Sequence, residues 1–314
     1  MKSKENTGDY LAYVKDQCIE CGLCTKNCTF LQKYDINLKD YCDRPDLAFS
    51  CFRCNKCSYV CPKDLDGNKI SFLLRQEEPR YESVVKQKDD YIFKNVPKGK
   101  SKDLLYLGCN FPAFYPETTE YFKNLFKKEG FKFSIDCCNN PVESTGFKNT
   151  YTQRLNASLD EDETERIVCV CSNCYHLLKK QSKHEVISIY QWLDEYGYSK
   201  DIDYQVNVFF PCSDRYNREI FAYIEPHLKA GFNDKYTKTN CCGAGGLASK
   251  KETELAEKMR KSIQDDKVYT YCATCSSRFD EFNEVHHLAS VLAGLDEKID
   301  NRFFINAVKM KLKK

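Results

Sequence analysis

At 314 residues the chain is long enough for two or three domains and a sizeable hydrophobic core. Charged residues make up 30% and the net charge is only +2, which gives no electrostatic reason to expect nucleic acid as a partner. No run approaches the ~18 apolar residues of a membrane span, and the N-terminal MKSKENTGDY lacks the apolar stretch of an export signal. The expected setting is therefore a reducing cytoplasm, with peripheral contact to the inner face of the membrane through a partner left open. There the 20 cysteines read as metal-bound thiolates rather than disulfides, because many stand two residues apart in C-x2-C pairs.

Residues 1–66 hold nine cysteines. Cys18, Cys21, Cys24 and Cys28 form C-x2-C-x2-C-x3-C; Cys51, Cys54, Cys57 and Cys61 repeat it, with Pro62 following. Three cysteines at this interval curl a loop around three corners of a cube. A fourth closes from a partner segment, and the proline stops the loop from continuing as helix. This is the bacterial two-cluster ferredoxin run, in which the fourth cysteine of each set ligates the other cluster. Cluster one then uses Cys18, Cys21, Cys24 and Cys61, and cluster two Cys51, Cys54, Cys57 and Cys28. Zinc ribbons also use C-x2-C, but as two pairs rather than a doubled run ending in proline. Cys42 fits neither run and reads as a small buried residue. Residues 67–102 hold no cysteine and read as a charged helix (RQEEPRYESVVKQKDD) followed by a polar linker.

Residues 103–314 hold the other eleven cysteines and repeat internally. Cys109, Cys137, Cys138, Cys171 and Cys174 are matched by Cys212, Cys241, Cys242, Cys272 and Cys275, at offsets of 103, 104, 104, 101 and 101 residues. Cys169 has no counterpart. DLLYLG (103–108), RIVCV (166–170), QVNVFF (205–210) and KVYTY (267–271) read as buried strands, each followed closely by a cysteine. PETTEYFKNLFKKEG, SNCYHLLKKQSK, SDRYNREIFAYIEPHLKAG and SKKETELAEKMRKSIQDD read as helices. Strand–helix alternation predicts parallel α/β units, with the cysteines at the carboxyl ends of strands, where such sheets bind ligands. Helix N-termini there favour an anionic, thiolate-held cluster. Adjacent cysteines in an extended chain point in opposite directions, so using both needs a bend, which the glycines of CCGAGG (241–246) allow.

These motifs carry a resemblance. FPC…CCGAGG…CATC and LGC…CCNNP…CSNC resemble the two CCG domains of heterodisulfide reductase, and the order of segments resembles forms in which a two-cluster ferredoxin segment is fused in front. The resemblance covers nearly the whole chain. It implies a fold of mixed α+β and α/β class: a helical two-[4Fe–4S] ferredoxin-like domain (1–66), a helix and linker (67–102), and two repeated α/β CCG domains (103–200 and 201–314). It implies two [4Fe–4S] cubanes and two CCG-ligated clusters, since each complete five-cysteine set in that family can hold an unusual non-cubane [4Fe–4S] cluster. One uses Cys109, Cys137, Cys138, Cys171 and Cys174; the other uses Cys212, Cys241, Cys242, Cys272 and Cys275. It further implies that a disulfide is cleaved between the two, and that a separate electron-donor protein (a flavoprotein, ferredoxin or hydrogenase-type subunit) feeds the ferredoxin domain. The alternative is a non-catalytic electron-transfer subunit of an anaerobic flavin-linked dehydrogenase of the glycerol-phosphate, lactate or glycolate type. One departure stands out: Asn139 replaces the motif glycine of the first set. Asparagine tolerates the left-handed region better than most residues, so the bend is expected to survive.

Other features read more plainly. GAGG (243–246) lacks the full G-x-G-x-x-G fingerprint of a nucleotide loop. The five histidines, His176, His184, His227, His286 and His287, are scattered; His176 follows Cys174 closely enough to be a cluster neighbour or proton donor, but a helix-surface histidine is the favoured reading. The basic end VKMKLKK (308–314) reads as a solvated helix end.

Overall fold

The computed structural model describes residues 7–89, 99–264 and 266–312. The chain divides into two compact units. One comprises Met1–Asp89 with Pro141–Lys148 and Lys238–Ser262; the other comprises Asp90–Asn140, Asn149–Thr237 and Ile263–Lys314.

Within residues 7–89 the regular elements are helices: α1 (Thr7–Gln17), α2 (Leu23–Asn27), α3 (Thr29–Lys33), α4 (Leu38–Tyr41), α5 (Lys56–Tyr59), α6 (Gly67–Glu77) and α7 (Glu82–Asp89). The helices are short because each cysteine loop must break them. Gly22 (φ 72°) and Asn55 (φ 63°), both left-handed, precede α2 and α5 at equivalent places in the two motifs. Asp66 caps α6, accepting from the Asn68 and Lys69 amides. Val14, Phe30, Leu31, Leu38, Tyr41, Leu47, Phe49, Ile70 and Leu74 form the core of this part. The stretch read as one charged helix is instead the end of α6 and then α7, parted around Pro79, because proline disfavours helix at the residue before it. Residues 90–98 of the expected linker lie outside the described residues.

The second unit carries two four-stranded parallel sheets of identical topology. β1 (Asp103–Tyr106), β2 (Lys132–Ser134), β3 (Arg166–Cys169) and β4 (Glu185–Ser188) stand in the order β2-β1-β3-β4. β5 (Val206–Val208), β6 (Phe232–Asn233), β7 (Lys267–Thr270) and β8 (Glu284–His287) repeat it as β6-β5-β7-β8. The inner strands are the four apolar runs read from the sequence, and β1 is buried at all four positions, as a strand covered on both faces must be. The first half has α8 (Phe111–Phe114), α9 (Pro116–Lys128), α10 (Asn140–Glu143), α11 (Tyr151–Glu161), α12 (Ser172–Gln181) and α13 (Ile189–Glu195). After it come α14 (Thr253–Arg260), α15 (Ala273–Phe279), α16 (Leu288–Leu292) and α17 (Phe303–Leu312); of these helices α14, and α10 from Pro141 on, belong to the first unit. One continuous apolar core serves both sheets, from Leu104, Phe126 and Trp192 to Phe221, Tyr271 and Leu292. Among the described residues no helix is long and apolar enough to cross a membrane.

The helix expected over residues 213–231 does not form. That segment holds only two 3-10 turns, Phe221–Tyr223 and Glu225–His227. The buried Asp214 carboxylate captures the amides of Ile220 (3.1 Å) and Phe221 (3.2 Å), and Pro226 supplies no donor to a helix.

Candidate iron–sulfur centres

In the N-terminal part the two C-x2-C-x2-C loops each surround a cavity. One is lined by Cys18, Cys21, Cys24 and Cys61 with Ile19, Gly22 and Pro62. The other is lined by Cys28, Cys51, Cys54 and Cys57 with Asn55 and Asn68. The fourth cysteine of each run thus lies beside the other run's first three. Desolvation pushes Cys28 up to about 12 and Cys54 and Cys57 well above the ordinary thiol range. Four thiols around one cavity, with the Arg53 amide directed at Cys51 Sγ (3.3 Å), fit a thiolate-held cluster. Among the described residues no three His, Cys, Asp or Glu close on a point as ligands of a single ion do. Cys42 is buried, lines neither cavity and donates to the Leu38 carbonyl (3.3 Å).

The segment carrying the second cysteine pair packs in the same unit. Asn240, beside Cys241, lines the cavity of Cys51, Cys54 and Cys57, and its side chain donates to the Asn27 carbonyl (2.8 Å). Backbone meets backbone here: a Cβ on Gly245 would stand 2.2 Å from the Phe52 carbonyl oxygen. Gly243 (φ 81°) turns the chain directly after the pair, and its amide points to Cys241 Sγ (3.3 Å).

In the second unit the first five-cysteine set gathers at the carboxyl edge of β1, β2 and β3. Cys109 follows β1, Cys137 and Cys138 follow β2, and Cys171 and Cys174 flank the start of α12. The connections from β1 and β3 leave toward opposite sides of the sheet, so their ends bound the crevice at which open α/β sheets bind ligands. Cys138 Sγ and Cys174 Sγ are 3.3 Å apart, and a Cβ on Gly108 would stand 3.1 Å from Cys174 Sγ. Hydrogen bonds from Cys137 and Cys174 hold Cys138 down to about 6, so a thiolate is ready-made beside its partners. Asn139 adopts φ 61°, the left-handed turn that Gly243 supplies in the other half. These are the donors and the bend that such a group needs, and the residues fit it. Cys169, buried at the end of β3, stands behind Cys138 and Cys171.

The second set is divided between the units. Cys212 follows β5, and Cys272 and Cys275 flank the start of α15 in the second unit, whereas Cys241 and Cys242 belong to the first. Cys272 is lowered to about 7, chiefly by its hydrogen bond from Cys275.

The two halves of the second unit are tied at the cysteine loops themselves. Asn110, beside Cys109, donates to Thr274 Oγ1 between Cys272 and Cys275 (2.8 Å). Ser213, beside Cys212, bonds Ser172 Oγ between Cys171 and Cys174 (3.1 Å). Each C-x2-C loop therefore touches the residue after the lone cysteine of the other half. His176 is no bare surface residue: its Nε2 lies 2.9 Å from Asp214, which also accepts from Tyr271 (2.8 Å). Sequence reasoning missed Asn110, Ser172, Ser213, Thr274, Asp214 and Asn240. Their only signal was position, within two residues of a motif cysteine.

Thiol-lined cavities in a helical segment, followed by a doubled cysteine-edged sheet, define an iron–sulfur protein. Residues 17–66 match the 4Fe-4S dicluster domain, and residues 104–179 and 206–280 each match the cysteine-rich CCG domain. With a dicluster domain ahead of two CCG domains, the chain belongs to the heterodisulfide reductase-like iron–sulfur proteins. An uncharacterized iron–sulfur protein of Methanococcus maripaludis is 24% identical over 82% of this chain and 66% of its own length. One of the subunits of the CoM/CoB fumarate reductase of Methanothermobacter marburgensis is 22% identical over 87% of this chain and 69% of its own length. The chain thus spans about two thirds of the length of these relatives. Among solved structures, aspartate racemase of Picrophilus torridus aligns over 66% of this chain and 99% of its own, at 10% identity and a TM-score of 0.30, too low to carry an argument.

Proposed function

We propose that this chain is an iron–sulfur oxidoreductase, working as a subunit of a larger complex, that takes electrons from a donor protein and delivers them to a disulfide or similar acceptor. Cys18, Cys21, Cys24 and Cys61 would hold one cubane, and Cys28, Cys51, Cys54 and Cys57 the other. Cys109, Cys137, Cys138, Cys171 and Cys174 would hold the first CCG group, and Cys212, Cys241, Cys242, Cys272 and Cys275 the second. When bound, the cubanes supply single-electron carriers and the CCG groups supply iron for the acceptor's sulfurs.

The observation that carries the reading is the reciprocal pair of hydrogen bonds, Asn110–Thr274 and Ser172–Ser213. A relay needs only closeness between its carriers. Two sites that must capture the two sulfurs of one bond need a fixed mutual register, and two short bonds related by the repeat supply it. The His176–Asp214 bond adds a third tie between the Cys174 and Cys212 loops. The relative from the CoM/CoB-linked fumarate reductase supports membership in a multi-subunit reductase.

The test is anaerobically prepared protein given a reduced viologen dye and a panel of low-molecular-weight disulfides. Dye oxidation that depends on one disulfide class is the expected result. Electron transfer to a quinone with no disulfide accepted would favour the carrier role instead.

A further inference from the structure

The side chain of Arg75, on α6, is fully buried, and its four hydrogen-bond partners are main-chain carbonyls: Ala48 (2.9 Å), Cys51 (2.9 Å), Ser144 (2.8 Å) and Gly246 (2.7 Å). They come from three separate stretches of the first unit. One is the loop entering the second cysteine run; the others follow the Cys137–Cys138 and Cys241–Cys242 pairs. No carboxylate is among them. A buried guanidinium without a counter-charge is costly, and four neutral carbonyls engage four of its five N–H donors without neutralising it. Nearby Arg53 also has Cys51 as its foremost charged neighbour, but Glu143 and Asp66 offer it carboxylates that Arg75 lacks. A guanidinium keeps its charge at any physiological pH, and the Cys51 carbonyl that this one contacts belongs to a ligand residue of the second cysteine run.

We infer that the counter-charge of Arg75 is the cluster held by Cys28, Cys51, Cys54 and Cys57, and that this buried cation makes cluster two easier to reduce than cluster one. The inference rests on the ligand sets proposed above. A [4Fe–4S] core with four thiolates is anionic, and reduction adds one negative charge, so a fixed cation in a low-dielectric interior stabilises the reduced form. Cluster one has no buried cation of this kind among the described residues: Lys63, which lines its cavity, is exposed, and Lys39 is paired with Glu20 near the surface. The ordering has a use. Asn240, next to Cys241, lines the cavity of cluster two, so electrons entering at cluster one run downhill toward the segment that bears the second cysteine pair.

The test is an anaerobic redox titration of the full chain followed by electron paramagnetic resonance, with Cys24→Ser and Cys54→Ser assigning each signal. In the unmodified protein cluster two is expected to take the first electron. Arg75→Met should shift its midpoint to lower potential and leave cluster one in place, whereas Arg75→Lys should keep most of the wild-type value. A wild-type protein that reduces cluster one first overturns the inference, whatever becomes of the Arg75 variants. So does an Arg75→Met protein that retains both clusters at wild-type midpoints. Absence of both cubane signals from wild-type protein would instead defeat the ligand sets, and the inference with them.

Discussion

Asn139 and Gly243 show how little of the cysteine-pair chemistry rests on glycine as such. Both turn the chain through the left-handed region, at φ 61° and 81°, and only at Gly243 does the surrounding backbone also forbid a side chain. A Cβ there would stand 2.5 Å from the Ala256 carbonyl oxygen. Asn139→Gly should accordingly keep the turn, while Asn139→Ala should cost about 1 kcal/mol more than Asn139→Gly for a left-handed alanine. Gly245→Ala should cost more, about 1–3 kcal/mol, because its methyl collides with rigid backbone at Phe52 rather than with a movable side chain. Anaerobic thermal denaturation of the three variants checks the ranking; an Asn139→Ala protein less stable than Gly245→Ala would refute it. At this scale the sequence was most informative where chemistry is spelled by spacing. The motif cysteines and the tolerance of Asn139 could be read from it. Arg75 could not, because its partners are carbonyls at positions 48, 51, 144 and 246, and a carbonyl leaves no trace in residue identity.

Among the elements, the inner strands were legible and the others were not. β1, β3, β5 and β7 are apolar runs ending at a cysteine. β4 and β8 begin on glutamate, β2 on lysine, and β6 is only two residues long, so none offers the period or length that marks a strand. The expected helix at 213–231 failed for a local reason. Asp214 is a buried carboxylate with four partners: the Ile220 and Phe221 amides, the Tyr271 hydroxyl and His176. Side chain-to-backbone bonding of this kind outcompetes the helix. Asp214→Asn keeps the shape but loses the charge and places an amide NH2 where two donors already point. It should destabilise the protein by about 2 kcal/mol, the usual loss for hydrogen bonds to a charged group. Chemical denaturation checks this, and hydrogen exchange should show the 213–231 amides opening first. Wild-type stability in Asp214→Asn would mean the segment is held by its aromatic packing alone.

For the molecule as a whole, linear spacing revealed the repeat and its two sheets, but not that Pro141–Lys148 and Lys238–Ser262 join the N-terminal residues in one compact unit. The segments are joined by backbone approach, as at Gly245 and Phe52, and by single side-chain bonds, as from Lys33 and Tyr34 to Glu252, and neither leaves a motif. The proposed cofactor content is a whole-molecule property. Anaerobic protein is expected to contain iron and sulfide for close to four clusters and little zinc. Cys54→Ser should lose one cubane's worth of iron, since a serine oxygen is a harder, weaker partner for iron, with the remaining clusters intact. Stoichiometric zinc without acid-labile sulfide would contradict the iron–sulfur assignment outright.

If both CCG sites act on one acceptor together, loss of either must stop the reaction, and one comparison addresses this directly. Cys138→Ala removes a ligand from the first set and Cys241→Ala one from the second, while the cubane cysteines all lie within the first 61 residues. Each variant is assayed with a reduced viologen dye, which bypasses the ferredoxin segment. Circular dichroism and limited proteolysis must first show the fold intact, because loss of a bound metal group can loosen the segments it joins. Two folded proteins that keep their cubane signals and turn over no disulfide are the expected result. One folded variant that still reduces disulfide at a substantial rate would contradict the joint action of the two sites.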